Sequence, residues 1–352
     1  MIKKIKGQID LLESLRGKNA TFLLSMTNTK TAIIEGITQA GIPGFIHLTP
    51  TLDGEFLATG EVRSLDDVAT TPKGVPTPAL ITRAVHLLKP FNKIEFLNLG
   101  VQIEPAVSHF KTHNFDLHPT DSIETGANID AISTFEKGIE YGQSFTTTSD
   151  YIILAESVPS GTTTALATAK ILGYDVDGMF SSSFKQNPIS IKDEVVREAL
   201  KNSQEKDEFF AKLGVVSDNM LIFNAGFILG LNNKIPTILA GGTQMAALLL
   251  LINSILRQMD GVIDTSNLSL CTTKWVAEDK NSDIKSLLDM LDFDINAFYS
   301  DFDFSLSNHP ALKLYDSGEA KEGVGAGAAL VYGELNNLSK DEITKKVESF
   351  LV

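Results

Sequence analysis

Only one cysteine, Cys271, stands among the 352 residues, so the chain makes no internal disulfide and no site built from several thiolates, and it fits a reducing compartment. Positive charge is also short. Lysine and arginine number 30 against 44 aspartates and glutamates, a net charge of −14 that argues against a large nucleic-acid footprint. Any anionic ligand must then be held by local groups. The longest apolar run, Met245 to Ile252, is too short to span a bilayer, and Met1 to Asp10 lacks the continuous apolar core of a signal peptide. The expectation is a soluble, cytoplasmic protein without nucleic-acid or membrane partners. No fixed-period repeat is visible, which sets aside solenoids and propellers. No G-x-S-x-G elbow is present, which weakens a serine-hydrolase reading. His109 and His113 would share a face if helical, but Pro105 and Asn114 disfavour a long helix and H-E-x-x-H is absent, so no metal is expected.

What is present is the pattern of an α/β protein. Short β-branched runs end in Gly, Ser, Thr or Asn and lead into stretches of helical periodicity. The expected strands are Thr21 to Ser25, Lys93 to Leu99, Tyr151 to Ala155, Pro236 to Ala240, Leu268 to Thr272 and Ala297 to Phe302. Apolar recurrence at three and four residues predicts helices over Thr31 to Ala40, Thr77 to Leu88, Thr162 to Leu172, Ile191 to Asn202, Asp218 to Leu229, Thr243 to Gln258 and Asp341 to Phe350. These make an open, mainly parallel, Rossmann-like sheet flanked by helices over residues 20–335. The charged, amphipathic ends, 1–19 and 336–352, are expected to form a small helical domain.

Three segments carry candidate chemistry. In the first, a buried strand runs to Glu156, and Gly161, Thr162 and Thr163 then open an alanine-rich helix. Free amides at a helix N-terminus and a glycine that admits close approach suit a phosphate, although hydroxyl caps on a packed helix start have the same residues. No lysine follows the glycine, so this is not a Walker loop. In the second, Ser181, Ser182 and Ser183 precede Lys185 and Lys192, a set able to grip a phosphate and equally able to form a solvated loop. In the third, Glu322 precedes Gly323, Gly325 and Ala328. That spacing matches G-x-G-x-x-A, yet no strand leads into it and too little chain follows for a further Rossmann unit. Close helix packing through small residues is its alternative. The stripe Met245, Leu248, Leu249 and Ile252 reads as core.

Taken in order, these segments resemble the nicotinate-nucleotide:dimethylbenzimidazole phosphoribosyltransferases of cobamide synthesis, in a divergent branch, over about residues 150 to 332. Glu156 takes the position of the family's strand-end glutamate, and Gly161, Thr162 and Thr163 those of its Asn-Thr-Thr turn. Ser181 to Ser183 and Lys192 match a phosphate turn and a later lysine. The run from Asn224 to Ala247 is similar to the family's helix, strand, turn and alanine-rich helix, with Gly241 where the family has an aspartate. Lys321-Glu322-Gly323-Val324-Gly325-Ala326 resembles Gly-Glu-Gly-Thr-Gly-Ala, whose glutamate is the catalytic base. The family's Asp-His-Gly strand end has no counterpart, since Ser25-Met26-Thr27-Asn28-Thr29 occupies that region.

The resemblance implies a homodimer that transfers the phosphoribosyl group of nicotinate mononucleotide to an aromatic base without a metal or other cofactor. Glu322 and Glu156 are its catalytic residues, and Gly161, Thr162, Thr163, Ser181, Ser182, Ser183 and Lys192 hold the phosphate and ribose. Ser25, Met26, Asn28, Gly323 and Gly325 are assigned to the acceptor pocket, with a preference for polar-edged bases such as a hydroxybenzimidazole or a purine. The alternatives are a nicotinamide-nucleotide oxidoreductase, on Gly323, Gly325 and Ala328, and a nucleotide-sensing protein without turnover.

Overall fold

The alternation of strand and helix builds one eight-stranded sheet. In the computed structural model, which describes residues 1–66, 68 and 70–351, the strands are β1 (Ile2–Lys6), β2 (Ala20–Met26), β3 (Lys93–Asn98), β4 (Lys111–Asn114), β5 (Tyr151–Ser157), β6 (Thr237–Ala240), β7 (Leu268–Thr273) and β8 (Asn296–Ser300). Their order across the sheet is β1-β8-β7-β6-β5-β2-β3-β4. All neighbours run parallel except β1 and β8.

A parallel sheet covered on both faces needs strands that are apolar on both faces, and β2, β5 and β7 are buried throughout. Within β5, Ile152 and Leu154 join one apolar cluster with Leu23, Leu239 and Leu270. Tyr151, Ile153 and Ala155 join the other with Phe22, Leu24 and Ile238. The two-residue period of a strand thus divides one run between two cores.

Beyond β2 the chain adds β3 and β4 on one side, then returns as β5 on the other and adds β6, β7 and β8. The reversal falls between β2 and β5, whose register runs from Ala20 opposite Tyr151 to Met26 opposite Ser157. In open parallel sheets ligands bind beyond the carboxyl ends of the strands at such a reversal. The main cleft lies there.

Several expectations need correction. Residues 2–6, expected within a helical end, form β1, because alternating isoleucines and lysines suit an edge strand that is half exposed. Only Asp10–Ser14 of that end is helical, and its Leu12 shares a cluster with Ile343 and Val347 of the helix Lys340–Glu348. Val352 lies outside the described residues. The helix expected over Thr31 to Ala40 reduces to one 3-10 turn, Lys30–Ile33, since Ile34 is extended and Gly36 has a φ of 78°. His113 lies on β4, where its ring pairs with Glu95 at 2.7 Å. No described helix is long and apolar enough to cross a membrane.

Helices at Ala131–Ser144 and Phe209–Val216 carried no expectation. The first crosses the helix Asn219–Leu231 through glycines. A β-carbon at Gly138 would stand 2.2 Å from the Phe223 carbonyl oxygen, and one at Gly226 2.2 Å from that of Phe135. Backbone meets backbone here, so only glycine fits.

Candidate active site

At the end of β5 the chain must leave the sheet and start the helix Gly161–Ile171 within a few residues. Ser160 accomplishes the turn in the left-handed region, with φ 63°. Glu156 is held beneath this turn, 3% exposed, and its Oε2 accepts one hydrogen bond, from the Val158 amide at 3.1 Å. A buried carboxylate with so little hydrogen bonding resists ionisation. Burial first, then the charges of Glu322, Asp218 and Asp53, push the Glu156 pKa up to about 8.

Glu322 has the opposite hydrogen-bonding environment. Its Oε2 accepts from the Thr273 amide at 2.8 Å and from Thr272 Oγ1 at 3.1 Å, and its Oε1 from the amides of Gly323 at 3.2 Å and Gly327 at 3.1 Å. These donors come from the end of β7 and from the start of the helix Ala326–Leu335. A β-carbon at Gly327 would lie 2.1 Å from the carbonyl carbon of Thr272, so glycine there lets the helix start approach β7 and bring its amide to the carboxylate. Burial outweighs these donors and pushes Glu322 to about 7. Lys321 does not reach Glu322; it pairs with Asp279 at 2.7 Å, both side chains being buried. The carboxylate also occupies the helix amides where the pyrophosphate of a dinucleotide would rest, which speaks against the oxidoreductase reading.

The two motifs are tied together directly. The Val324 amide donates to the Glu156 carbonyl at 2.9 Å, and Glu156 and Glu322 both line one cleft of about 120 Å³. Two helix N-termini point into it, those of Gly161–Ile171 and Thr243–Gln258, and Gly161, Thr162, Ser181, Ser182, Ser183 and Gly323 line it. Lys192 lies one layer behind, on the helix Ile189–Ser203. Its Nζ donates to Thr162 Oγ1 and to the Ser181 carbonyl, both at 2.9 Å, and so ties the two hydroxyl turns to each other. Burial, helped by Lys321, lowers its pKa to about 7. Thr163 is fully buried and does not line the cleft.

The acceptor pocket expected around Ser25, Met26 and Asn28 is not where the cleft lies. Ser25 Oγ donates to Asn224 Oδ1 at 3.0 Å, deep in the protein. Met26 packs beneath the helix Thr49–Thr59, where a β-carbon on Gly54 would come within 3.2 Å of its sulfur. Asn28 is spent on the His47 carbonyl and the Gln102 amide. Gly325 sits against Ala155, Phe22 and Ala240 and caps a helix. These residues end a strand and support its loops, as Ser and Asn commonly do.

In their place the structure supplies Asp53, Thr77 and Ser157, which the sequence reading missed. Asp53 Oδ1 accepts from Thr77 Oγ1 at 2.6 Å and Oδ2 from Ser157 Oγ at 2.7 Å. Asp53 follows β2 and Ser157 ends β5, so this contact bridges the reversal in strand order. Burial pushes Asp53 to about 6 against both hydrogen bonds. The one available signal was a carboxylate in an apolar stretch, Leu52-Asp53-Gly54-Glu55-Phe56, without a cationic neighbour.

No family model matches the chain. Its architecture matches that of a solved structure: nicotinate-nucleotide-dimethylbenzimidazole phosphoribosyltransferase from Thermus thermophilus is similar over 97% of this chain and 86% of that one, with a TM-score of 0.58 and 14% identity. A structure of CobT from the same organism gives the same score and identity over 99% and 93%. In sequence, the chain is 34% identical over 354 residues to the UPF0284 protein of Sulfurisphaera tokodaii, covering 99% of this chain and 96% of that protein. It is 35% identical over 356 residues to the UPF0284 protein of Sulfolobus acidocaldarius, covering 99% and 97%. The chain belongs to the UPF0284 family.

Proposed function

We propose that the protein is a phosphoribosyltransferase that moves the phosphoribosyl group of nicotinate mononucleotide to the ring nitrogen of a planar aromatic base. The observation that carries this reading is the pairing of Glu156 and Glu322 across the Val324 to Glu156 hydrogen bond, at the mouth of two helix N-termini. The 5′-phosphate rests on the hydroxyl turns at Thr162 and Ser181 to Ser183, backed by Lys192. Binding this remote group fixes C1′ against the attacking nitrogen.

The attacking lone pair forms the new C1′–N bond while the bond to nicotinate breaks, its electron pair leaving with the pyridine nitrogen. Glu322 accepts the proton released by the base. A pKa of about 7 suits that task, because a general base works best when its pKa is near the working pH. Glu156, at about 8, is mostly protonated at neutral pH and serves as a hydrogen-bond donor to the ribose. Carboxylate-rich walls favour the positive charge that develops on the ribosyl group. The product is an α-riboside 5′-phosphate, a precursor of a cobamide lower ligand, and the enzyme works as a cytoplasmic homodimer. The reading is tested by incubating the protein with nicotinate mononucleotide and a panel of benzimidazoles, phenols and purines. Release of nicotinate with an α-riboside phosphate of matching mass supports it; nucleotide binding without release favours a sensor.

A further inference from the structure

We infer that Asp53 reads the edge of the acceptor, and that the acceptor is a planar nitrogen base bearing a hydrogen-bond donor, an N–H, amino or hydroxyl group, on the edge remote from the attacking nitrogen. The inference rests on the phosphoribosyl reading above for its reaction, and on the cleft itself for its recognition. An ionised carboxylate offers about four lone-pair sites. Thr77 and Ser157 fill one on each oxygen of Asp53. No cation pairs with Asp53 among the described residues, although it is 3% exposed. Asp53 lines the cleft with acceptor capacity to spare.

Thr49 lies one turn earlier on the same helix face and also lines the cleft. It is 6% exposed, and its hydroxyl has no partner among the described residues. It is a second polar group on this wall without an internal partner, packed beside Gly41. The walls beside it are apolar, with Val75, Pro78, Val158 and Val276, as the faces of a flat ring require. The orientation follows from Pro78. It adjoins Thr77, which holds Asp53, and it lies 3.6 Å from where a β-carbon on Gly323 would stand, next to Glu322. A ring lying against Pro78 would have Glu322 toward one edge and Asp53 toward the other.

A buried acceptor left unpaired penalises the wrong ligand more than a missing methyl contact does. A dimethyl edge would leave the Thr49 hydroxyl without a partner and Asp53 with only its two internal donors. A hydroxyl or amino edge satisfies them.

The test measures equilibrium binding of hydroxybenzimidazole, aminobenzimidazole and dimethylbenzimidazole to the wild-type chain, Asp53→Asn and Thr49→Val, and then turnover of each with nicotinate mononucleotide. The expected result is binding of the donor-bearing bases at least about tenfold tighter than the dimethyl base in the wild type. The ratio should collapse in Asp53→Asn and narrow in Thr49→Val, with affinity for the mononucleotide unchanged. Tighter binding of dimethylbenzimidazole by the wild type overturns the proposal, and does so even where a variant fails to fold. An unchanged ratio in a folded Asp53→Asn also overturns it, leaving Asp53 a structural residue. If the bases are discriminated as expected but no nicotinate is released, the recognition by Asp53 stands and the transferase reading falls.

Discussion

Replacing Glu156 by glutamine should make the protein more stable as the pH rises. The carboxyl group ionises near 4.5 in the unfolded chain and near 8 in the folded one. A folded pKa raised in this way means that the contribution of Glu156 to stability is intact below about pH 4.5 and is lost as pH rises through about 8. At about 1.4 kcal/mol per unit, the difference amounts to about 5 kcal/mol as an order of magnitude. Glutamine cannot ionise, and its carbonyl oxygen can still accept from the Val158 amide. Unfolding by urea, followed at several pH values from 5 to 9, should show the variant gaining on the wild type steadily up to about pH 8 and levelling off above it. Removing the neighbouring charge in Glu322→Gln should reduce the gain, because that charge is the second cause of the shift. A stability difference that stays flat with pH would refute the reasoning and show that Glu156 is solvated or paired in the folded protein. The same variant should be a poorer enzyme, since a destabilised buried acid at a cleft trades stability for function.

Glu322→Gln should reduce turnover by about 10² or more while nicotinate mononucleotide still binds, as expected when a general base is removed; unchanged turnover removes Glu322 from that role. In the wild type, turnover should fall as pH drops through about 7, following protonation of Glu322, and a rate profile without that limb would contradict the assignment. Lys192→Ala should weaken the mononucleotide by about 1 kcal/mol and the dephosphorylated nucleoside less, because its charge sits one layer behind the phosphate site. Equal losses would mean that Lys192 only braces Thr162 and Ser181. Gly327→Ala should cost about 1 to 3 kcal/mol in stability and most of the turnover, since the added carbon strikes the β7 backbone that helps hold Glu322; a stable, active variant would show that this close approach is dispensable.

The strands that the sequence announced are those whose side chains are buried on both faces. β2, β5 and β7 are continuous runs whose composition alone excludes solvent, so their positions could be read without any knowledge of neighbours. β1 and β4 could not. Ile2-Lys3-Lys4-Ile5-Lys6 and Lys111-Thr112-His113-Asn114 are polar edge strands, and only pairing with β8 and β3 makes them strands. The helix Ala131–Ser144 was hidden for a related reason. Gly138 and Gly142 weaken a helix taken alone, and they are favoured here because another helix lies against them.

The candidate site divides along the same line. By itself the sequence determined the order of its parts: Glu156 before a hydroxyl turn, three serines, and Glu322 before a glycine-rich helix start. Such motifs are local because a helix N-terminus makes its own geometry from consecutive residues. Only the tertiary structure decided which groups meet. It joined Val324 to the Glu156 carbonyl, placed Lys192 behind Thr162, turned Lys321 away to Asp279, and buried Ser25 and Asn28 in other contacts. It also set Asp53 between Thr77 and Ser157, residues 24 and 104 positions away along the chain. The raised pKa values of Asp53, Glu156 and Glu322 arise from desolvation, and burial of a carboxylate depends on everything packed around it.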